Sequence, residues 1–320
     1  DSEYARKPPV PIASVVSANS KKNTMSYDLY FYKRTENKLH EKEISEYLNN
    51  NLTSKNENDE QWFVEDEDTE SYFSIDYNSL DLDEETIEIF DKFYGFECTH
   101  FSFNLNFLRP DFFGLFAFEF VDKFIKELDL FVLNPQTSDT EFPFKPIGRE
   151  LYENWSKLNE VHSVDFFTEY ELVFYPIEKS NDFYNYNRNR SKLQEKLGDE
   201  YFVPKVFLLQ KKSDKEIFTL CTWPEHIPTI LPLTDFYLLT KKHRKLLKTV
   251  EESGIISKSV FIDRFENFFD KYEFMNCKII HPDFAEKVKK TFNSTKFESK
   301  LTDFAERVQI DKLVNVKPND

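Results

Sequence analysis

Cys221, Glu225 and His226 lie within six residues of one another and are residue types that nucleophilic catalysis uses. A cysteine nucleophile needs a base and an oxyanion site, and these partners usually meet in space rather than in sequence. We therefore predict that Cys221 is a buried residue at the end of a strand and that His226 lies in a turn. No serine stands in a nucleophile elbow, and no phosphate-binding loop or dinucleotide-binding fingerprint is present.

Cys98 and His100 are two residues apart at the start of a predicted strand, a spacing that places both side chains on one face. Metal binding would need further ligands, which the neighbouring sequence does not supply. The sequence therefore predicts no metal site and no cofactor. An enzyme stays an alternative, as a hydrolase whose site brings together Cys221, His226 or His100 only in three dimensions.

Residues 51–100 hold most of the negative charge, with sixteen Asp or Glu against two Lys, a net charge of −14. Part of this run is flanked by aromatic residues, and Trp and Tyr are enriched at interface hot spots. Complementary charge also steers association with a basic partner, although a solvated hairpin tip would explain the acidity as well. We predict a partner-binding surface made of Trp62, Glu65, Asp66, Glu67, Asp68, Glu70 and Tyr72.

The whole chain has 320 residues and a formal net charge of −16, which disfavours nucleic acid and anionic membranes as partners. Residues 241–312 differ, because sixteen Lys or Arg outnumber twelve Asp or Glu there. Uncharged apolar stretches such as Cys98–Leu108 are about half as long as a membrane-spanning helix. Three widely spaced cysteines without a CxxC motif favour a reducing compartment, so we predict a cytoplasmic protein.

Hydrophobic periodicity in the first half of the chain predicts strands and helices in turn. Thr99–Leu108 alternates strictly, with Phe101, Phe103, Leu105 and Phe107 on one face and polar residues on the other. The predicted strands are Tyr27–Lys33, Gln61–Val64, Ser71–Tyr77, Thr99–Leu108 and Leu130–Leu133. The predicted helices are Glu41–Leu52, Thr86–Tyr94 and a segment with an apolar stripe from Phe120 to Leu128.

The second half is predicted to add strands and then to become wholly helical. Helices are expected at Arg149–Asn159 and Asp182–Leu197, and strands at Glu169–Tyr175, Phe202–Gln210, Glu216–Thr222 and Asp235–Thr240. From Lys241 onward the pattern indicates helices alone, at Lys241–Glu251, Val260–Tyr272, Pro282–Phe292 and Phe297–Val308.

These elements predict the α+β class, with a mixed or antiparallel sheet, helices on one face and an all-helical C-terminal region. Residues 1–24 lack the patterning that begins at Met25 and are expected to be a flexible leader or an expression remnant. We predict an α+β domain over 25–240, with two halves meeting near 137–146 as an alternative, and a helical region over 241–320.

Several short motifs are distributed along residues 27–240. They are Tyr27-Asp28-Leu29-Tyr30, Glu67-Asp68-Thr69 followed by Tyr72-Phe73, Arg109-Pro110-x-Phe112-Phe113-Gly114-Leu115, Leu130-x-Val132-x-Asn134-Pro135-Gln136, Phe202-Val203-Pro204 and Trp223-Pro224-x-x-Ile227-Pro228. With these motifs the chain resembles a family of uncharacterised bacterial proteins, some of which look like immunity partners of bacterial toxins. The motifs are turns and core strands, and the resemblance transfers no catalytic residue.

The leading hypothesis is therefore a non-enzymatic cytoplasmic binding protein, of the kind that neutralises a toxin through an acidic and aromatic surface. Its partner would be another protein with a basic surface, because acidic groups complement Lys and Arg. The alternatives are the hydrolase described above and a scaffold or regulatory subunit that uses the C-terminal region as its contact.

Overall fold

The computed structural model describes residues 25–37, 39–52, 60–78, 93–137, 142–245 and 248–318, without the side chains of 243–249. The chain divides into two compact units. Unit 1 comprises Asp1–Glu65, Tyr72–Phe107 and Gly114–Leu158, and unit 2 comprises Asp66–Ser71, Leu108–Phe113 and Asn159–Asp320. The predicted leader and most of the predicted helix Thr86–Tyr94 lie outside the described residues.

Unit 1 is built on a five-stranded antiparallel sheet in the order β2-β3-β4-β1-β5. The strands are β1 (Ser26–Arg34), β2 (Gln61–Glu65), β3 (Tyr72–Tyr77), β4 (Phe96–Asn106) and β5 (Phe131–Leu133). All five strands predicted in this half are confirmed. Their aromatic and β-branched residues alternate with polar ones, so each strand has one apolar face to bury.

Helices cover the apolar face of this sheet. They are α1 (Glu41–Asn51) and α2 (Phe112–Glu127), and a further helix, α3 (Glu150–Asp165), packs against α2. Phe31 of β1 meets Phe124 of α2 edge-to-face at 5.0 Å between ring centroids, and Phe103 of β4 lies 5.5 Å from Phe118 of the same helix. Such aromatic contacts bury large apolar areas and so hold helix and sheet together.

Gly114 lets α3 come close to α2. A Cβ atom at this position would lie 2.3 Å from the Trp155 ring, so only glycine fits. Trp155 itself is fully buried. The glycine of the Arg109-Pro110 motif is therefore a packing requirement in unit 1.

Unit 2 contains a five-stranded mixed sheet in the order β11-β10-β8-β7-β14, in which β8 and β10 are parallel and the other pairs antiparallel. Its strands are β7 (Val206–Lys211), β8 (Ile217–Pro224), β10 (Phe236–Lys245), β11 (Lys248–Ser257) and β14 (Ala305–Arg307). Smaller sheets join β9 (Thr229–Leu231), β12 (Asp270–Lys271) and β13 (Lys278–Ile280), and β6 (Val173–Phe174) with β15 (Leu313–Val314).

The helices of this unit are α4 (Ile177–Leu197), α5 (Lys258–Phe265), α6 (Pro282–Ser294) and α7 (Leu301–Phe304). Short 3-10 turns occupy Glu266–Phe268, Phe274–Asn276 and Ile310–Lys312. The buried Trp223 ring centres the core, with Phe265, Phe269 and Phe292 placed edge-to-face at 4.9–5.3 Å.

The predicted all-helical C-terminal region is wrong, because strands occur up to Val314. Lys241–Glu251 pairs as parts of β10 and β11, where Lys241 lies opposite Glu252 and Lys242 opposite Glu251. Opposite charges across a strand pair stabilise its register. The local helical pattern is thus overridden by pairing between strands, which sequence periodicity does not include.

Two other predicted C-terminal helices are shorter than expected. The helix expected over Val260–Tyr272 ends at Phe265, and the one over Phe297–Val308 becomes α7 followed by β14. The helix Pro282–Phe292 is confirmed as α6. Within the described ranges, no helix is both long and apolar enough to cross a bilayer.

Candidate functional site

The face of the unit 1 sheet opposite the helices carries a regular grid of polar and aromatic side chains. Strand register aligns β2, β3, β4 and β1 so that two rows of four residues cross the sheet, with two further residue pairs beside them. We call this grid the polar face; its rows are Phe63, Ser74, Asn104 and Asp28, then Gln61, Asp76, Ser102 and Tyr30, and its two further pairs are Glu65 with Tyr72 and Asn106 with Ser26. Ten of these twelve side chains are half-buried, Glu65 is exposed and Asp28 is buried.

Hydrogen bonds within and across the strands hold the polar face in place. Asn104 donates its Nδ2 to Oδ1 of Asp28 at 2.6 Å, and Ser26 donates its hydroxyl to Oδ2 at 3.0 Å. Asp76 accepts from Gln61 Nε2 at 2.5 Å and from the Ser74 hydroxyl at 3.0 Å. Because these donors occupy the carboxylate oxygens, the rotamers of the face are set before any ligand arrives.

Burial changes the protonation of two carboxyl groups on the polar face. It raises the pKa of Asp28 and of Asp76 above the ordinary value, and the hydrogen bonds from Asn104 and Gln61 counteract this in part. The negative charge of Asp76 also raises the pKa of Asp28. The two carboxyl groups are therefore coupled electrostatically. Acidic groups with raised pKa values are often found at functional sites.

The chemical character of the polar face suits recognition. Three of its twelve residues are carboxylic (Asp28, Glu65, Asp76), three are aromatic (Tyr30, Phe63, Tyr72), and none is Lys or Arg. Phe63 and Tyr72 pack against each other with ring centroids 5.4 Å apart. Aromatic rings beside small amide and hydroxyl groups offer contact area and hydrogen bonding to a protein surface.

The predicted partner-binding residues separate in the structure. Glu65 and Tyr72 lie side by side as one of the residue pairs of the polar face. Trp62 points to the opposite side of β2, is 1% exposed and donates its indole N–H to Asn49 at 2.9 Å. Its contacts are those of a core residue. Such burial does not favour the predicted role of Trp62 as a surface anchor for a partner.

The remaining predicted residues form the turn after β2, which belongs to unit 2. Asp66 closes this turn, because its Oδ1 accepts from the Thr69 backbone N–H at 2.8 Å and from the Thr69 hydroxyl at 2.9 Å. Glu70 follows in the left-handed region, at φ 60°. We call Asp66–Glu70 the acidic turn.

Basic side chains of unit 2 contact the acidic turn. Arg188 reaches Asp66 at 3.3 Å, Arg190 holds Asp68 at 3.0 Å and Arg307 lies 2.8 Å from Glu70. Lys205 donates its Nζ to the Glu67 carbonyl at 2.5 Å. The acidity that stands out in the sequence is therefore partly neutralised by the protein itself.

Net charge is concentrated in unit 1. This unit holds 27 Asp or Glu against 15 Lys or Arg, so its net charge is −12, whereas unit 2 holds 31 against 27 and carries −4. An excess of one sign over a surface raises the rate at which an oppositely charged partner arrives.

The cysteine and histidine candidates do not form a catalytic group in the described part of the chain. Cys221 is fully buried, and burial raises the pKa of its thiol to about 12. Its Sγ lies 3.5 Å from the Thr234 hydroxyl, while the His226 ring lies against Phe292 at 5.8 Å. A thiol with so high a pKa is a poor nucleophile at neutral pH.

Cys98 and His100 contact each other, but the contact is not one between two side chains on the same face of a regular strand. The backbone N–H of His100 donates to Cys98 Sγ at 3.4 Å, and His100 has a left-handed φ of 62°. This backbone breaks the strand alternation on which the prediction relied. Over the described ranges, no three His, Cys, Asp or Glu residues are grouped as a metal ion would need.

Comparison with known proteins yields no match: no protein-family model fits the chain, and neither curated proteins nor solved structures match it.

Sequence reasoning missed the polar face as a unit, although its signal is present. Ser102, Asn104 and Asn106 alternate with apolar residues in β4, and Ser74 and Asp76 do the same in β3. Each strand by itself reads as a half-buried strand. Only the pairing register shows that the polar residues of four strands fall into common rows.

Proposed function

We propose that this chain is a non-enzymatic binding protein that uses the polar face of unit 1 to engage another protein with a basic surface. The observation that carries the proposal is the composition of that face, with carboxylic, amide, hydroxyl and aromatic groups in register and no basic residue. Such a face complements Lys, Arg and peptide groups of a partner.

Rigidity supports this role. The face lies on four hydrogen-bonded strands, and its central carboxylates are already held by Asn104, Ser26, Gln61 and Ser74. Binding therefore orders few side chains, and a pre-organised surface loses less free energy on association. Glu65 and the Phe63–Tyr72 pair offer an exposed charge beside aromatic area at one edge.

A bacterial toxin is the partner that we propose first, because the sequence resembles a family of uncharacterised bacterial proteins, some of which look like immunity partners of toxins. The protein would then act by covering the toxin's basic site. The net charge of −12 on unit 1 would speed the encounter, and the polar face would provide the specific contacts.

The test is a binding measurement between the purified protein and the product of a toxin-like reading frame beside its gene. Glu65→Lys combined with Tyr72→Ala should weaken binding at least about tenfold, since interface aromatic residues often contribute over 1 kcal/mol. Glu46→Lys is the matched control, because it makes the same charge change at an exposed position of α1. Equal affinity of the wild type and both variants would refute this use of the polar face.

An acid–base enzyme of the hydrolase type is the second candidate, favoured by the raised pKa values of Asp28 and Asp76. A carboxyl group with a raised pKa can serve as a general acid when it lies beside a substrate. If the protein is such an enzyme, the wild type turns over a hydrolase substrate and Asp28→Asn or Asp76→Asn abolishes this turnover. If it is a binding protein, the wild type itself shows no turnover.

A further inference from the structure

The acidic turn lies in a set of basic side chains that resembles a peptide-binding site with its ligand in place. Two arginines two residues apart on α4, Arg188 and Arg190, contact two aspartates that are also two residues apart, Asp66 and Asp68. All four residues belong to unit 2. Each arginine therefore contacts one aspartate, and the order of the two contacts follows the order of the residues along both segments.

The contact of Arg190 is the most specific of the set. Its Nη2 donates to Oδ1 of Asp68 at 3.0 Å while its Nε donates to Oδ2 at 3.2 Å. This two-point geometry distinguishes a planar carboxylate from a less directional anion. Lys205 contacts the peptide carbonyl of Glu67, so the backbone of the segment is bound as well as its side chains.

Arg307 extends the set at the far end of the turn, where it donates to Glu70 at 2.8 Å. It also lines a cleft of about 310 Å³ together with Gln210, Gln309 and Lys312. The bound segment thus ends beside open space that further side chains of a ligand could enter. We name Arg188, Arg190, Lys205 and Arg307 the basic cradle.

The acidic turn has internal hydrogen bonds that do not involve the cradle. Asp66 uses Oδ1 to close the turn with Thr69 and Oδ2 to meet Arg188, so the two tasks fall on different atoms. The ion pairs also remain accessible to solvent, since the Arg188 and Arg307 side chains are 42% and 65% exposed. Accessible ion pairs exchange readily and are screened by salt.

We infer that the basic cradle is a binding site for acidic peptide segments, occupied in this state by the acidic turn of the same chain. The ligand class is a segment with Asp or Glu at alternating positions, as in Glu65-Asp66-Glu67-Asp68-Thr69-Glu70. Because the turn is attached to the protein, it competes for the cradle as an intramolecular ligand. An acidic segment of a partner therefore binds the cradle only by displacing it.

The experiment weakens the internal competitor and supplies the segment in trans. The triple variant Asp66→Asn, Asp68→Asn, Glu70→Gln removes three charges, and asparagine at position 66 retains an oxygen to close the turn. A labelled synthetic peptide of residues 63–72 is titrated against full-length wild-type and variant protein by fluorescence anisotropy. We expect the variant to bind at least about tenfold more tightly, with affinity lost between about 50 and 500 mM salt.

Two controls make the result specific. Adding Arg188→Gln and Arg190→Gln to the triple variant should abolish binding, and a peptide with Asn and Gln in place of its acidic residues should not bind. Circular dichroism and thermal unfolding establish that every variant is folded. Equal peptide affinity of wild type and triple variant, or binding that survives loss of both arginines, would overturn the inference. The result is independent of the polar face, because no partner protein is present.

Discussion

Arg190 and Asp68 form a two-point ion pair within unit 2, with Nη2–Oδ1 and Nε–Oδ2 distances of 3.0 and 3.2 Å. This pair, with that of Arg188 and Asp66, shows that the aspartates of the acidic turn are paired with arginines of unit 2. The polar face of unit 1 contains no Lys or Arg, and two of its residues, Glu65 and Tyr72, flank the acidic turn in the chain.

The Arg190–Asp68 pair should contribute measurably to stability. A double-mutant cycle with Arg190→Gln and Asp68→Asn is expected to give a coupling free energy of about 1 kcal/mol at low salt, reduced because both side chains are partly exposed. The Arg188–Asp66 pair, whose arginine is more exposed, serves as the comparison, with about 0.3 kcal/mol expected. Urea unfolding measures both cycles, and equal coupling would contradict the role of two-point geometry.

Asp28→Asn should stabilise the protein at neutral pH. Burial raises the folded-state pKa of Asp28 above its unfolded value, so the folded protein takes up this proton at higher pH than the unfolded chain does. The ionised carboxylate therefore costs stability above the folded pKa, and this cost disappears as pH falls through it. We expect the variant to be more stable than the wild type at pH 7, by a margin that shrinks toward acidic pH.

Urea unfolding of wild type and Asp28→Asn at several pH values measures this difference. Glu97→Gln is the control, because this exposed residue of β4 lies off the polar face. A gain at Asp28 that stayed constant with pH would show that titration is not its cause.

Gly114→Ala should destabilise unit 1 by about 2 kcal/mol, because the added methyl would overlap the Trp155 ring. Trp155→Leu in the same chain should make the alanine easier to accommodate, so that the two changes are not additive. Thermal unfolding of both single variants and the double variant checks this. Simple additivity would mean that the two positions do not interact.

The three free cysteines, Cys98, Cys221 and Cys277, should resist thiol reagents in the native protein. All three are buried, and burial raises the pKa of Cys221 and Cys277 to about 12. Reaction with a chromogenic disulfide should therefore be slow in buffer and complete in concentrated urea. Rapid labelling of Cys221 in the folded state would instead support the alternative of a hydrolase that uses Cys221.

Much of the fold of unit 1 could be predicted from the sequence, because its strands have strict alternation. Tyr27, Leu29 and Phe31 alternate with polar residues in β1, as Phe101, Phe103 and Leu105 do in β4, and each set lies in the core. A period of two places alternate side chains on opposite sides of a strand whichever neighbour it pairs with. Local pattern is sufficient where burial on one face is the dominant force.

The C-terminal errors have the opposite cause. Lys241–Glu251 contains residues that favour a helix, yet β10 pairs with β8 and β11, and these contacts stabilise the extended form. Ala305–Arg307 likewise becomes a strand by pairing with β7, almost one hundred residues earlier in the chain. Non-local hydrogen bonds leave no mark in local periodicity.

By itself, the sequence determined the α+β fold class, the excess of acidic residues and the buried face of each strand in unit 1. These follow from composition and from spacing between near neighbours. The tertiary structure decided which charges remain available, because Asp66 and Asp68 meet arginines more than one hundred residues away. It also decided that polar residues of four strands form one face, since the register that aligns them comes from strand pairing.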